Sequence, residues 1–410
     1  MLKSLAVSAG VQVGANISEI DTPAILVDLD LVERNIARLF KLFANRVSGR
    51  NIAVRPHLKT VKSPVFAQML LNAGAAGVCV AKVSEAEIMA AAGVSDILIT
   101  TEIVGDLKLK RLAQLLKPTV NRITVVVDSK EGADALNAEI LKTQSSAAEP
   151  LAVLIEVNVG QNRCGVEPGQ EVLELANYIN NLPGLHLVGL QGYEGHLQHV
   201  TPASERRTLC LAAMSKLEDT VKLLNENSIK IETVTTGGTG TAIFCSESPV
   251  VTEVQPGSFI FMDTSYQAAT ERIYDSALSV LTTVISKPKP NRAVIDAGTK
   301  SLSTDMGNAQ PKNLSANNLS ANSLSANNLS ANNLSAKDPG TSGQILYRPA
   351  GDEHGILECL SGDMPIAIGD RIEILPSHID TTVNLHDVYF CHRQGTIEQI
   401  IPITARGKVQ

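Results

Sequence analysis

The chain has 410 residues, is 44% hydrophobic and 19% charged, and carries a formal net charge of −7. That length holds one large α/β domain plus a second, with enough apolar material for a sizeable core. The absence of a basic stripe, with only 3% aromatic residues and no Trp, excludes a phosphate-backbone binder and a base-stacking platform, so no nucleic-acid partner is expected.

The N-terminal run Met1 to Ser18 is broken by Ser, Gly, Gln and Asn and makes a poor signal peptide. No apolar stretch reaches the ~18 residues a spanning helix needs, so no membrane partner is expected. The six cysteines form no CxxC pair. They read as reduced thiols, which implies a cytoplasmic protein rather than a disulfide framework.

From Ala24 to about Asp263, short apolar runs alternate with helical segments. The expected strands are Ala24–Asp28, Ile52–Arg55, Gly77–Ala81, Asp96–Thr100, Arg122–Asp128, Leu151–Val159, His186–Gln191, Ile231–Thr235 and Ser258–Met262. Several are rich in Val, Ile and Leu without strict alternation, as parallel strands buried on both faces should be. Helical spacing between them is clearest in Leu31, Ile36, Leu39, Phe40 and Phe43. This alternation predicts an α/β fold, a closed (β/α)8 TIM-like barrel over residues 22–271. A doubly wound open sheet is the alternative, but the first strand is not followed by GxGxxG.

Beyond about Ile273 short β-like runs follow one another and helical periodicity fades. Residues 272–410 read as an all-β C-terminal domain, joined by residues 1–21. Within it, residues 308–340 read as a disordered low-complexity insert, because Asn313 to Lys337 is five tandem pentads of the form Asn-Leu-Ser-Ala-Asn. A period of five matches neither helix nor strand, and the run is too short to bury a repeat core.

Three features carry chemistry. Lys59, in Arg55-Pro56-His57-Leu58-Lys59, stands where a strand stopped by Pro56 ends. Barrel chemistry is sited at that end, and a lysine there can act as a Schiff-base nucleophile or simply be solvated. Thr235-Thr236-Gly237-Gly238-Thr239-Gly240-Thr241 follows a late strand. Its glycines and hydroxyls suit a phosphate, the alternative being a plain tight turn. His378 and Asp380 lie two apart. On an extended strand they would point the same way and could share a divalent ion, or form a surface couple.

A phosphate cup with a lysine suggests pyridoxal phosphate. Arg55–Lys59, Val159-Gly160-Gln161-Asn162-Arg163-Cys164-Gly165, Gly189-Leu190-Gln191-Gly192-Tyr193-Glu194-Gly195-His196, the Gly-Gly-Thr-Gly loop and Gln255-Pro256-Gly257-Ser258 together resemble the fold-type III pyridoxal phosphate enzymes. These are the alanine racemase-like barrels, and the likeness is greatest to the D-threonine aldolase and D-serine dehydratase family. It covers residues 20 to 300 and resumes from 344 to 395; the pentads have no counterpart.

The resemblance implies that Lys59 carries the cofactor. Arg163 would lie near its phenolic oxygen, Tyr193 beside the ring, and Thr236, Gly237, Gly238 and Thr239 on the phosphate. Gln255 takes the place of the partner of the pyridine nitrogen, an Arg or an acidic residue in other branches. His378 and Asp380 would hold a divalent metal. The dehydratases carry Cys in the second place, and a harder carboxylate favours manganese, with magnesium or zinc as alternatives. Val61 departs from the family pattern, in which His stands two places after the lysine. Glu353-His354-Gly355 also resembles a family segment near the site.

The implied activity is a metal-dependent retro-aldol cleavage of D-β-hydroxy-amino acids to glycine and an aldehyde. Lys59, His378, Arg163 and Tyr193 would be the catalytic set, in a homodimer acting on a small D-amino acid. The alternative is a dehydratase giving an oxo acid and ammonia. More remote readings are an amino-acid racemase and a non-catalytic pyridoxal phosphate-binding protein.

Overall fold

The computed structural model describes residues 11–44, 49–116, 122–143, 149–312 and 345–410. The pentads expected to be disordered lie outside the described residues. The chain divides into two compact units.

One unit spans Ile36–Phe259, with Ala268–Arg272 and Gly407–Gln410. The chain's first strand, β1 (Ala24–Asp28), is not part of it. Its eight strands are β2 (Ala53–Val54), β3 (Val78–Val80), β4 (Asp96–Ile99), β5 (Arg122–Val127), β6 (Leu151–Glu156), β7 (Leu185–Gln191), β8 (Thr233–Thr236) and β9 (Glu253–Val254). They pair in parallel in the order β2-β9-β8-β7-β6-β5-β4-β3. The ring is closed by a parallel bridge between His57 and Cys79, with Leu58 N donating to Cys79 O at 2.8 Å and Cys79 N to Pro56 O at 2.9 Å. The result is the expected (β/α)8 barrel, with helices such as Pro64–Asn72, Val83–Ala91 and Ala203–Glu226 between strands. Cys79, Leu98, Val126, Leu154 and Val188, one from each of β3 to β7, form one packed cluster. Arg55 bridges Asp96 and Glu253 at 2.5 and 2.8 Å, tying β2 to the starts of β4 and β9.

The other unit takes in the described residues up to Asn35, Ile260–Gln267 and Ile273–Arg406. Its further strands are β10 (Leu278–Lys289), β11 (Arg292–Ile295), β12 (Gln310–Pro311), β13 (Ile345–Pro349), β14 (Gly355–Cys359), β15 (Arg371–Leu375), β16 (Val388–Arg393) and β17 (Thr396–Pro402). They form a nine-stranded sheet in the order β13-β14-β11-β10-β1-β16-β17, with β15 pairing β10 and β12. Val11, Ile17, Ile20, Ala24, Leu26, Leu281, Phe390 and Ile397 pack as one core cluster.

Two strand expectations are corrected. Ala24–Asp28 belongs to the nine-stranded sheet, antiparallel to β10 and parallel to β16. Its residues Ala24–Val27 are all buried, and an unbroken apolar run looks the same in either kind of central strand. Ser258–Met262 is not a strand but opens with a 3-10 turn, Ser258–Ile260. The closing barrel strand is instead Glu253–Val254, too short to show a period.

At Gly189, which pairs β7 with β8, an added Cβ would lie 2.0 Å from Thr233 O and 2.9 Å from Leu154 Cδ2. The obstructing atom is backbone, so relief requires the strands to part. Gly189→Ala is expected to destabilise the protein by about 1–3 kcal/mol, as overpacking does. Chemical denaturation followed by circular dichroism measures this, and an unchanged midpoint would contradict the close approach.

Candidate active site

Lys59, Arg163, Tyr193, Thr236 and Gln255 all follow or end parallel strands of the barrel, at its C-terminal end. That is where a parallel barrel carries its chemistry.

The lysine loop is fixed from below. Lys59 N donates to His57 Nδ1 at 3.2 Å, and His57 Nε2 lies 3.0 Å from Thr100 Oγ1. Lys62 N returns to Leu58 O at 2.8 Å, closing a turn. Lys62 adopts a positive φ of 45° and is held by a buried ion pair with Glu85 at 2.6 Å. Glu85 also accepts the Ala81 and Lys82 amides. Val61 is buried at 1% exposure and packs as an apolar side chain.

Arg163 and Tyr193 come from the loops after β6 and β7 and meet, with the guanidinium 5.7 Å from the ring centroid. This is within cation–π range and orients both side chains.

The Gly-Thr loop is organised by Glu194, which the sequence reading passed over. Its carboxylate receives Gln198 Nε2 and Thr241 Oγ1 on Oε1, and Thr236 Oγ1 and Gly237 N on Oε2. Gln198 Oε1 accepts Gly240 N at 3.0 Å, and Gly238 N donates to Thr241 Oγ1 at 3.0 Å. Gly237 has φ +76°, where L side chains are strained. A Cβ on Gly240 would lie 2.1 Å from Gln198 O. Of the residues expected on a phosphate, Thr236 and Gly237 therefore direct a donor to Glu194. Thr239 Oγ1 accepts Phe259 N at 3.1 Å and keeps its own hydrogen to donate.

Gln255 is buried. Its Nε2 donates to Gln191 Oε1 at 3.0 Å and to Thr235 Oγ1 at 2.8 Å. Gln191 Nε2 in turn donates to Glu156 Oε2 and to Thr100 O, the latter at 3.3 Å. Glu156 is pushed up to about 8, first by burial and then by Glu102 and Asp128, against the Gln191 hydrogen bond and Arg163, which lower it. Ligand atoms of Glu102, Asp128 and Cys164 lie within 4.8 Å of one another. Burial and Glu102 push the Cys164 thiol up, and Asp128 Oδ2 accepts Gly165 N.

These residues fit pyridoxal phosphate. Lys59 would supply the amine, Arg163 a cation, Thr239 a hydroxyl donor for the phosphate, and Gln255 a polar partner for a ring nitrogen.

In the β-rich unit His378 is not on a strand with Asp380. It is the N-cap of the short helix Ile379–Val383, with Asp380 in the first turn, so the expectation of two side chains sharing one face of an extended strand is corrected. Strand β15 ends at Leu375, and the helix starts at Ile379. His378 Nδ1 lies 2.6 Å from Asp305 Oδ2, and Asp305 also accepts Thr381 Oγ1 at 3.1 Å. A carboxylate only accepts, so Nδ1 carries the proton and Nε2 keeps the lone pair a metal needs. Asp263, whose Oδ2 accepts Ile379 N, is pushed up to about 6 by burial and by Asp380, against two backbone hydrogen bonds and His378. Among the described residues His378 and Asp380 do not join a third acidic, His or Cys group with all ligand atoms within 4.8 Å, so this unit would contribute His378 Nε2 and the Asp380 carboxylate to a divalent cation.

The alanine racemase N-terminal domain model matches residues 27–265, and the serine dehydratase domain model residues 277–392. The chain is 36% identical to the D-threonine aldolase of Arthrobacter sp over 410 residues, covering 99% of this chain and 98% of that one. It is 34% identical to the 3-hydroxy-D-aspartate aldolase of Paracoccus denitrificans (strain Pd 1222) over 405 residues, 96% and 94% of the two chains. The crystal structure of D-threonine aldolase from Filomicrobium marinum superposes with a TM-score of 0.85 at 34% identity, over 98% of this chain and 100% of that one. Dehydratases are more distant relatives. The fold and the lysine-bearing barrel mouth are those of a fold-type III pyridoxal phosphate enzyme. The chain belongs to the alanine racemase-like family, in the group of the D-threonine aldolases and D-serine dehydratases.

Two outcomes test the site. Glu194→Gln turns an amide toward donors and is expected to weaken pyridoxal phosphate binding by about tenfold or more, since each orphaned buried donor costs about 1–3 kcal/mol. Binding of pyridoxal, which lacks the phosphate, should change less. Equal losses for both ligands would dissociate Glu194 from the cup. Asp305→Ala is expected to lower manganese affinity by about 10–100-fold, the usual effect of losing a histidine's outer partner. Calorimetric titration reads this directly, and an unaltered affinity would refute the role.

Proposed function

We propose that the chain is a D-threonine aldolase, a carbon–carbon lyase that cleaves D-β-hydroxy-α-amino acids to glycine and an aldehyde. The observation that carries this reading is the full-length similarity to an aldolase; Asp380, in the place where the resemblance implies Cys for dehydratases, agrees with it. Bound pyridoxal phosphate supplies an electron sink for the bond-breaking carbon, and a bound divalent ion supplies Lewis acidity toward the substrate hydroxyl.

The chain's residues prepare this chemistry. Lys59 Nζ would hold the cofactor. Its loop is fixed by His57 and the Lys62–Glu85 pair, so the nucleophile is presented without large reorganisation. Arg163, oriented on the Tyr193 ring, would supply a cation to the cofactor's phenolic oxygen. Thr239 and the loop stiffened by Glu194 hold the phosphate. His378, with Nδ1 on Asp305, offers Nε2 to the metal, and Asp380 adds a carboxylate.

Manganese is the ion we propose, on the hardness of the carboxylate ligand, ahead of magnesium or zinc. A homodimer follows from the family resemblance. A cytoplasmic setting is supported by six cysteines that are all unpaired.

Product analysis tests the function. D-Threonine given to protein loaded with pyridoxal phosphate and manganese should yield glycine and acetaldehyde, and L-threonine none. A chelator should abolish turnover, and Lys59→Ala should reduce it by at least about 10³-fold. Formation of 2-oxobutyrate and ammonia would replace this reading with the dehydratase one.

A further inference from the structure

A chain of buried side-chain amides crosses the barrel from Glu156 through Gln191 to Gln255. Its polarity has a fixed sense. Thr100 O is a backbone carbonyl and can only accept, so the group that Gln191 turns toward it must be Nε2. The same Nε2 donates to Glu156 Oε2. Gln191 therefore faces Gln255 with its carbonyl oxygen, and Gln255 must answer with its amide. The second amide hydrogen of Gln255 goes to Thr235 Oγ1. Both hydrogens are committed, and what Gln255 has left for a ligand is an acceptor, Oε1. Flipping Gln191 would set its oxygen against Thr100 O and Glu156, and flipping Gln255 would set its oxygen against Gln191 Oε1.

We propose that Gln191 is a positioning residue that makes Gln255 a hydrogen-bond acceptor toward the cofactor's ring nitrogen, and that this nitrogen is consequently held in its protonated form. The inference rests on the cofactor reading above. An arginine in the place of Gln255 would do the opposite, since guanidinium only donates and so requires an unprotonated ring nitrogen. A protonated ring is the stronger electron sink, which suits a reaction that leaves a carbanion at Cα.

Glu156 anchors the far end in either ionisation state. It is pushed up to about 8, and a proton on Oε1 leaves Oε2 an acceptor for Gln191. The lock accordingly does not depend on the acidic neighbours Glu102 and Asp128 or on Arg163, which act on Glu156 from around it.

The test is the ring-nitrogen chemical shift of the full chain loaded with ¹⁵N-labelled pyridoxal phosphate. The unmodified protein should give the shift of a protonated pyridine at neutral and mildly alkaline pH. Gln191→Met keeps the length but removes both links, and Gln255→Met removes the acceptor. Each should move the shift toward the unprotonated value at the same pH. Thr235→Val, which frees one Gln255 hydrogen, should move it in the same direction and serves if Gln191→Met does not fold. An unprotonated ring in the unmodified protein, or an unmoved shift in the folded Gln191→Met and Thr235→Val variants, would overturn the inference. Absence of both a ring signal and a visible absorption band would overturn the cofactor reading and the inference with it.

Discussion

The carboxylate of Glu194 is the constraint on which the rest of the barrel mouth depends. Four donors from two separate chain segments converge on its two oxygens. A glycine-rich loop left to itself loses more conformational entropy on ordering than any other sequence. Here the loop is ordered by a side chain that follows the preceding barrel strand, and Gln198 extends the same network to Gly240. The loop is consequently shaped before any anion arrives, and little ordering remains to oppose binding.

The same economy runs through the barrel interior. A parallel barrel is normally filled with branched apolar side chains, and this one has such a cluster across β3 to β7. At the C-terminal end the filling changes to Glu156, Gln191, Thr235 and Gln255, all buried. Buried polar groups are tolerated only when each is satisfied, and a satisfied chain then has a single direction. That direction decides which atom of Gln255 is available. The direction of the chain starts from an acceptor-only carbonyl at Thr100.

The β-rich unit uses local backbone geometry for the same purpose. His378 caps a short helix and so leaves its strand before Asp380 is reached. Its ring is oriented by Asp305, which is distant in sequence. No spacing rule connects residues 305 and 378. The strand reading of His378 and Asp380 failed because one helical turn of five residues has no detectable period.

The sequence by itself determined the class of fold and the family. Alternating apolar runs and helical periods give a barrel, and Lys59, the Gly-Thr loop and the ordered motifs point to pyridoxal phosphate, because these signals are local in the chain. The sequence could not assign Ala24–Asp28 to the nine-stranded sheet, since burial on both faces produces the same apolar run in either sheet. Nor could it find the closing strand Glu253–Val254, whose two residues are held by pairing with β2 and β8 rather than by their own propensity. Glu194, Asp305 and the Glu156–Gln191–Gln255 chain were decided by tertiary structure alone. Hydrogen bonds between residues far apart in sequence have no sequence period, and their direction is fixed only when the fold brings donor and acceptor together.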